Sequence, residues 1–368
     1  MRIALVVPGG VDRSGEYRVI PALMALIRRL AMHEEVHVFA LRQEERAGDW
    51  DLAGARIHNV GARHTRLRAV RSICALHRAA PLSLVHSIWS GPGGQVAVAA
   101  AALSGIPSLI HVAGGELVAV PDIGYGGWLR WRGRVSERLA LRAASAVTAA
   151  SLPVIEMIAQ LGLTAERVPL GVDLDTWPVC APMRRSIDSP ARLVHVASLN
   201  RVKDQSTLLH ALAALGRRGA SFEMDIVGED TLHGAIQGLA AELGLLPRVK
   251  FHGFLTRQQL RPIVAAAHLM VVSSRHETGP IAALEAAVAG VPTVGTRVGH
   301  IAEWAPGAAL SVPVGDWAAL AAAIEQLLGD EELRLGIAGE AQRRALAEDA
   351  DYTAKCFRAL YARLTARN

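Results

Sequence analysis

The chain has 368 residues, of which 51% are hydrophobic, 20% charged and 4% aromatic, and this composition excludes a disordered or fibrous protein. Its length predicts two domains, each large enough to bury a core of its own. The formal net charge is +5 and only three of the 39 basic residues are lysines, a bias that suits anionic ligands and that a GC-rich coding sequence explains equally well.

The first predicted element is a strand at the amino terminus, where MRIALVVPGG runs from one arginine into apolar residues and a glycine turn. This segment lacks the apolar core and the cleavage site of a signal peptide. Short apolar runs then alternate with amphipathic segments, which is typical of parallel sheets covered by helices. The strands predicted in the first half are Ile3–Val7, Val36–Leu41, Arg56–Val60, Leu84–Trp89, Ser108–Val112 and Ala146–Ala150. The helices predicted between them are Tyr17–Leu30, Arg66–Arg78, Gln95–Leu103, Trp128–Arg142 and Pro153–Leu161.

A linker is predicted at Thr176–Arg192, where prolines stand among Ser, Asp and Arg and neither structural period is present. A second alternating series follows the linker. Its predicted strands are Leu193–Ser198, Phe222–Val227, Val249–Phe254, Leu269–Ser273 and Pro292–Gly295. Its predicted helices are Gln205–Leu215, Ala235–Leu243, Arg257–Ala267, Pro280–Ala289, Trp317–Leu328, Glu332–Ala347 and Tyr352–Leu364.

We therefore predict an α/β protein with two doubly wound, Rossmann-like domains of parallel strands. The amino-terminal domain is expected at residues 1–178 and the carboxyl-terminal domain at 179–350, with a last helix at 351–368 that packs back toward the first domain. Two such domains facing each other would hold a ligand cleft between them, at the carboxyl ends of both sheets. Three distant cysteines without a CxxC pair indicate neither disulfides nor zinc, so a reducing cytoplasm is expected. The apolar stretches are too short to cross a bilayer.

A dense group of polar residues precedes one predicted helix of the second half, in Ser273–Pro280 (SSRHETGP). Free N–H groups at the start of this helix, beside Thr278 and Gly279, suit the oxygens of an anionic or polyhydroxyl ligand. Glu277 lies before the helix, whereas Glu285 lies within it, in an apolar sequence where a carboxylate needs a partner or a ligand. The alternative is that Glu277 only complements the helix dipole and that Glu285 is a solvated surface residue.

Two basic residues, Arg201 and Lys203, lie between the first strand and the first helix of the second domain. A Rossmann-like sheet binds phosphate at this point. Lys203 is one of three lysines in an arginine-rich chain, which indicates a required point charge. Plain solvation of the helix start is the alternative.

The first domain offers weaker signals. The loop Pro8–Glu16 matches neither GxGxxG nor GxxxxGK[ST], which argues against a dinucleotide dehydrogenase or a P-loop NTPase. His111 is placed at the end of an apolar strand, ahead of two glycines. Its side chain is expected to emerge at the cleft, with a structural role as the alternative. Motifs for a hydrolase elbow or a metal site are missing, and arginines without interleaved aromatics do not predict a nucleic-acid partner.

Together these segments resemble the retaining glycosyltransferases of family 4, which have the GT-B architecture of two facing Rossmann-like domains. HETGPIAALEAAVAGVPTVGT resembles the E-x7-E segment of the family, and LVHVASLNRVKDQSTLLHAL resembles the strand and basic phosphate-binding turn that open its second domain. VPLGVDLDTW resembles its interdomain motif, and VKFHGFLTRQQL resembles its nucleotide-base strand and loop. The resemblance covers almost the whole chain and is thinnest across residues 42–82.

The resemblance implies a role for each matching residue. Glu277 would contact hydroxyls of the donor sugar, Glu285 would bind the ribose, and Lys203 would neutralise the diphosphate. His111 would lie near the transferred sugar, and Arg201 is inferred as a substitute for a family arginine that has no match here. The implied catalytic residues are His111, Lys203 and Glu277, and the implied donor-binding residues are Gly15, Arg201, Lys203, Gly253, Glu277, Thr278, Gly279, Pro280, Ile281 and Glu285.

The implied activity is the transfer of a hexose from a UDP- or GDP-sugar to an acceptor hydroxyl, with retention at the anomeric carbon. The expected context is the synthesis of surface polysaccharide, lipopolysaccharide or glycolipid, with a sugar or lipid-linked sugar as acceptor. No metal and no cofactor are expected. Two alternatives stay open: a nucleotide-sugar 2-epimerase of the same fold, and a non-catalytic sugar-nucleotide-binding subunit of a polysaccharide complex.

One segment suggests a further partner. Trp128–Arg134 mixes tryptophan with arginine, as segments at a membrane interface do. This pattern predicts peripheral contact with the inner membrane surface, and a solvated helix with buried tryptophans is the alternative.

Overall fold

The computed structural model describes residues 1–186 and 188–366, which form two compact units. The first unit combines Met1–Asp173 with the chain from Glu348 onward, and the second unit is Leu174–Ala347. These boundaries lie within a few residues of those expected at 178 and 350.

The first unit is built on a largely parallel sheet. Its strands are β1 (Arg2–Val7), β2 (Glu35–Ala40), β3 (Gly48–Leu52), β4 (Ala55–Asn59), β5 (Leu84–Ile88), β6 (Ser108–Val112), β7 (Ala146–Ala149) and β8 (Glu166–Arg167). In the described residues they form one sheet in the order β3-β4-β2-β1-β5-β6-β7-β8, in which only β3 and β4 are antiparallel. Every residue of β5 and β6 is buried, as expected where both faces of a sheet are covered. The six strands predicted here are confirmed, and the short β3 and β8 are additions.

Helices cover this sheet at positions close to those predicted. They are α1 (Pro21–Ala31), α2 (Thr65–Ala79), α3 (Gly91–Ser104), α4 (Trp131–Ala143) and α5 (Leu152–Ala159). The predicted start of the first helix at Tyr17 is wrong, because Val19 pairs with Val11 in an antiparallel bridge. The helix begins instead at Pro21, since proline suits a first helical position that has no use for its missing N–H.

The second unit is built on a parallel sheet. Its strands are β9 (Ala191–Val196), β10 (Phe222–Val227), β11 (Val249–Gly253), β12 (Leu269–Val272), β13 (Thr293–Thr296) and β14 (Leu310–Val312). In the described residues their order is β11-β10-β9-β12-β13-β14. The helices are α6 (Gln205–Arg217), α7 (Ala235–Glu242), α8 (Arg257–Ala265), α9 (Ile281–Val288), α10 (Gly299–Trp304), α11 (Trp317–Gly329) and α12 (Glu331–Ala347). The predicted α/β alternation is confirmed, and β14 and α10 are additions.

The last helix, α13 (Ala350–Thr365), packs on α1 in the first unit. Its Thr353 Oγ1 donates to the carbonyl of Pro169 at 2.7 Å and accepts the N–H of Gly171 at 2.9 Å. Further along the helix, the Tyr361 hydroxyl is 2.7 Å from Nδ1 of the buried His86. These contacts fix the end of the chain to the first sheet. Nowhere in the described ranges does a helix combine the length and apolar character needed to span a membrane.

Candidate functional site

Glu277 lies in the loop between β12 and α9, at the carboxyl edge of the second sheet. The helix begins at Ile281, and Pro280 is its cap residue. The Glu277 side chain is mostly buried, and its Oε1 accepts a hydrogen bond from Ser274 Oγ at 2.7 Å. The carbonyl of Ser274 in turn accepts from Thr296 Oγ1 at 2.5 Å. The loop therefore holds this carboxylate in one position.

Lys203 lies in the loop that follows β9, and its Nζ is 2.5 Å from Glu277 Oε1. Because β9 and β12 are neighbouring parallel strands, the loops that follow them meet at one edge of the sheet. Two more hydrogen bonds join these loops, from Ser273 Oγ to the Lys203 carbonyl at 2.8 Å and from the Arg275 N–H to the Val202 carbonyl at 2.8 Å. The structure thus pairs two residues that the sequence singled out separately.

The backbone around Lys203 is fixed on both sides. Asn200 Oδ1 accepts hydrogen bonds from the N–H groups of Val202 and Lys203, each at 3.1 Å. Asp204 has a φ of +49°, which is uncommon for a residue other than glycine. Its carboxylate caps α6 by accepting from Thr207, at 3.3 Å from the N–H and 2.7 Å from Oγ1. Lys203 is therefore presented from a tight turn between a strand and a capped helix.

Behind the pair lies His195, a residue that the sequence analysis missed. Its Nδ1 donates to the Val271 carbonyl at 2.8 Å, and its Nε2 is 3.1 Å from Nε2 of Gln205, which donates to it. Burial lowers the pKa of His195 to about 4, so the ring is neutral near pH 7. The sequence feature that could have revealed this contact is a histidine inside the apolar strand β9, followed by a glutamine at the first position of α6.

The segment before α9 packs closely against α10. A Cβ on Gly279 would lie 2.8 Å from Cε1 of His300, so a side chain fits here only if the ring moves. His300 is itself buried and stacks on Trp304, with 5.9 Å between ring centroids. Thr278 is also buried. His300 was missed because α10, which carries it, is too short to show a helical period.

Glu285 lies inside α9 and is 9% exposed. Burial raises its pKa to about 7, an effect that Arg257 at the start of α8 partly offsets. The described residues donate no hydrogen bond to its carboxylate. The alternative that Glu285 is a solvated surface residue is therefore wrong. Because a buried polar group without a hydrogen bond is costly, a ligand hydroxyl would be a fitting partner.

The other predicted donor-binding residues lie on loops. Arg201 is exposed in the loop that carries Lys203. Gly253 ends β11 with a φ of +68°, and its carbonyl accepts the Gly228 N–H at 2.8 Å. Gly15 belongs to the first unit, in the loop between β1 and α1, with a φ of +70°. Arg201 and Gly253 thus share the carboxyl edge of the second sheet with the Lys203–Glu277 pair.

The expectation that the His111 side chain emerges from the first sheet is wrong. His111 is fully buried within β6, where its Nδ1 is 2.9 Å from Thr148 Oγ1. Its ring lies nearly perpendicular to that of Phe357 of α13, with 5.4 Å between centroids. Burial lowers the pKa of His111 to about 3. The strand continues past this residue and α13 covers it, so the structural alternative is the one confirmed.

The second unit therefore presents a cation, a carboxylate and a helix start at one edge of its sheet. The Lys203 ammonium suits phosphate oxygens, and the Glu277 carboxylate accepts hydrogen bonds from hydroxyl groups. The first N–H groups of α9 have no acceptor inside the helix. Within residues 1–186 and 188–366, no three His, Cys, Asp or Glu side chains are grouped to hold a metal ion. This arrangement can bind a ligand that carries both an anionic group and hydroxyls.

Two family models match the chain. Residues 184–344 match the model described as "Glycosyl transferases group 1", and residues 19–171 match the one described as "Glycosyl transferase 4-like domain". Together the matches take in most of the chain, and the first of them contains Lys203, Glu277 and Glu285.

Individual proteins give the same picture. Sucrose-phosphate synthase from Thermosynechococcus elongatus matches with a TM-score of 0.84 and 20% identity over 100% of both chains. Anabaena HepE, solved in complex with UDP-glucose, matches with a TM-score of 0.75 and 19% identity over 99% of this chain and 100% of that one. These structures show the GT-B fold.

Among curated proteins, glycogen synthase of Mycobacterium tuberculosis is 32% identical over 179 residues. The match covers 48% of this chain and 41% of the synthase, so it spans about two fifths of that relative. The two family models match successive parts of the chain, and the fold agrees with them. The chain therefore belongs to the group 1 glycosyltransferases and has a glycosyltransferase 4-like domain in its first half.

Proposed function

We propose that this protein transfers a hexose from a UDP- or GDP-sugar to an acceptor hydroxyl. The observation that carries the proposal is the 2.5 Å pair of Lys203 and Glu277 at the carboxyl edge of the second sheet. Membership of the family supports the transfer reaction. The UDP-glucose bound by Anabaena HepE, which has the same fold, supports the class of donor.

In this proposal, the ion pair between Lys203 and Glu277 breaks when the donor binds, and each side chain then contacts the donor instead. The Lys203 ammonium turns to the diphosphate, and the released Glu277 carboxylate accepts hydrogen bonds from hydroxyls of the donor sugar. Arg201, exposed in the same loop, adds a second positive charge. As the bond between the sugar and the diphosphate breaks, these cations and the N–H groups at the start of α9 stabilise the growing negative charge.

The remaining donor contacts follow from the placement of each residue. Glu285, buried without a hydrogen bond, would accept from the ribose hydroxyls. The backbone of Thr278, Gly279, Pro280 and Ile281 would lie against the donor, and the tight packing of Gly279 on His300 keeps that backbone in place. Gly253 would lie near the base, and Gly15 would approach the phosphates or the acceptor.

We further propose that transfer retains the anomeric configuration and needs neither a metal nor a cofactor. The family resemblance implies that the acceptor oxygen attacks on the face from which the diphosphate leaves, so no covalent nucleophile is assigned. Lys203 and Arg201 would supply the positive charge that a divalent cation supplies in other transferases. His111 has no place among the reacting groups, since it is buried beneath α13.

Product analysis tests this function. The protein is incubated with UDP-glucose, UDP-galactose or GDP-mannose, with simple glycosides as acceptors, in the presence of EDTA. We expect the nucleoside diphosphate to be released only when an acceptor is present, and NMR to show the donor's anomeric configuration in the product. An inverted product or a loss of activity in EDTA would contradict the mechanism.

The same reactions separate the two alternatives, which family membership does not favour. A 2-epimerase would convert or hydrolyse the donor at the same rate without an acceptor. A non-catalytic subunit would bind the nucleotide sugar and leave it unchanged.

A second part of the proposal concerns the membrane surface. On α4 the residues Trp131, Val135 and Leu139 are 68%, 49% and 61% exposed, and their spacing of four residues puts them on one helix face. Exposed arginines accompany them at Arg132, Arg134, Arg138 and Arg142. Trp131 is therefore not buried, as the alternative required. This face has the character of a helix that lies on an anionic bilayer, which would bring the enzyme to a lipid-linked acceptor.

Sedimentation with phosphatidylglycerol vesicles tests the membrane contact. We expect the protein to bind at low salt, and Trp131→Ser with Leu139→Ser to lower bound protein by about tenfold because apolar burial is lost. Leu103→Ser, which removes a leucine of α3 that is even more exposed than Leu139, is the matched control and should bind as the parent does. Equal sedimentation of all variants would contradict a role for α4.

A further inference from the structure

The first unit contains a cavity of about 630 Å³ at the carboxyl edge of its sheet. Pro8 follows β1, Leu41 and Arg42 follow β2, and Trp89 follows β5, and all four line the cavity. Ligands of open α/β sheets bind at this edge of the strands. All residues that line the cavity belong to the first unit, so it is a site distinct from the Lys203–Glu277 pair.

The charge of the cavity wall is positive. The exposed Arg42 side chain has no hydrogen bond and no ion pair with any described residue. The guanidinium of Arg66 donates to a neutral acceptor, Gln95 Oε1, at 2.7 Å. Glu116 is the one acid among the described lining residues, and its Oε1 accepts from the Ser90 N–H at 3.0 Å. Two guanidinium groups are therefore left without a carboxylate partner.

Glu116 reduces this positive charge only in part. Burial raises the pKa of its carboxyl group above the ordinary value. Besides the Ser90 N–H, the backbone N–H groups of Ala113, Gly114 and Glu116 itself act on this carboxyl group. A cavity with two guanidinium groups that lack a carboxylate partner, and with one acid held by its own loop, suits a ligand that has an anionic group.

Two helices also start at this cavity. Thr65 and Gly91, the first residues of α2 and α3, both line the cavity. Neither helix has a capping side chain or an acidic residue in its first turn. Their first N–H groups therefore add to the attraction for an anion.

The chain is strained at the start of both helices. His64, which precedes α2, has a φ of +47°, and Trp89, two residues before α3, has a φ of +76°. A bulky residue other than glycine rarely adopts this conformation, and such strain tends to be kept at functional sites. In both places the strained residue lines the cavity.

Apolar groups complete the wall. Leu67 and Trp89 offer a leucine side chain and an indole ring beside the two arginines, and Pro8 and Pro92 add two further apolar surfaces. Leu67 is half exposed and so remains free to be covered. A ligand of the cavity therefore has an apolar or ring portion next to its charge.

We infer that this cavity binds the acceptor and selects one that carries a phosphate or carboxylate next to a ring or aliphatic portion, held by Arg42 and Arg66. The inference rests on the proposed function, because the hydroxyl that receives the sugar belongs to this ligand. Arg42 and Arg66 are then residues that determine acceptor specificity. They take no part in binding the donor.

Calorimetric titration of the full chain tests the inference. UDP or GDP, whichever binds, is added first to fill the donor site, and its own binding is recorded. Phenyl phosphate, benzoate and phenol are then titrated as probes of the same size with a dianion, a monoanion and no charge. We expect phenyl phosphate to bind at least about tenfold more tightly than phenol, since charge-assisted hydrogen bonds to arginine are strong. Benzoate distinguishes a phosphate from a carboxylate as the preferred anion, and binding of either above phenol supports the inference.

Variants locate the site. Arg42→Ala and Arg66→Ala should each lower the affinity for phenyl phosphate by about tenfold and leave the affinity for phenol unchanged. Arg68→Ala is the matched control, because Arg68 is an exposed arginine of α2 that does not line the cavity. If neither phenyl phosphate nor benzoate binds more tightly than phenol, or if Arg68→Ala causes an equal loss, the inference is overturned. A sample that binds neither UDP nor GDP contradicts the proposed function, whereas one that binds either nucleotide and fails the arginine test contradicts only this inference.

Discussion

Replacing Lys203 or Glu277 by alanine is expected to lower turnover by about 100-fold or more, since each would act on charge that develops in the transition state. Lys203→Ala removes the ammonium that would face the leaving diphosphate and leaves the Glu277 carboxylate without its ion-pair partner. Glu277→Ala removes the carboxylate that would accept hydrogen bonds from the donor sugar. Initial rates at varied donor concentration measure both effects, and the loss should appear in kcat as well as in kcat/KM.

Three controls separate this effect from a loss of folding. Lys355→Ala removes an exposed lysine of α13 and should keep the parent rate. Lys203→Arg keeps the charge in a different shape and should recover part of the activity. The hydrogen bond from Ser273 Oγ to the Lys203 main chain does not depend on the side chain, so melting temperatures of the variants should stay near that of the parent. Near-full activity in folded Lys203→Ala or Glu277→Ala would contradict the roles assigned here.

Replacing Glu285 by glutamine is expected to stabilise the protein and to lower its affinity for the nucleotide. Burial raises the pKa of Glu285 to about 7 in the folded chain, whereas an exposed glutamate titrates near 4.3. Between these two values the unfolded chain has released a proton that the folded chain still keeps. The free energy of unfolding therefore falls as the pH rises from about 4 to about 7, by as much as about 4 kcal/mol, and stays low above that range.

The Glu285→Gln variant removes this titration. Its free energy of unfolding, measured by urea denaturation from pH 5 to pH 8, should exceed that of the parent most at pH 8 and approach it at pH 5. Nucleotide affinity should fall by about tenfold, because a charged acceptor for the ribose hydroxyls is lost. Glu242→Gln, at an exposed glutamate of α7, should change neither property. A variant that follows the parent's pH profile would show that Glu285 does not titrate in this range.

The sequence was enough to predict the order of strands and helices where apolar runs are long. Buried parallel strands such as β9 and β12 are continuous apolar stretches, so their positions could be read directly. The edge strand β3 was missed because GDWDL contains two aspartates, and β14 was missed because it has only three residues. Both pair at an edge of a sheet, where burial imposes little pattern.

The candidate site was predictable in part. Lys203 and Glu277 each follow a strand, but the 2.5 Å contact depends on β9 and β12 being neighbours, and strand order cannot be read from an apolar pattern. The prediction that His111 is accessible was wrong because its burial also depends on a contact between distant parts of the chain. Phe357 and α13, which cover it, come almost 250 residues later in the chain. Arg42 and Arg66 gave no signal, because unpaired arginines look like any others in an arginine-rich sequence.

A thermal-shift panel of UDP, GDP, ADP and their common sugar derivatives, run with the parent and Lys203→Ala in EDTA, tests the central claim most directly. A nucleotide at about 100 times its dissociation constant should add about 2.7 kcal/mol to the free energy of unfolding. We expect one nucleotide class to raise the melting temperature of the parent clearly and that of Lys203→Ala much less. If no nucleotide stabilises the parent at saturating concentration, or if the parent and Lys203→Ala respond equally, the assignment of the donor site is contradicted.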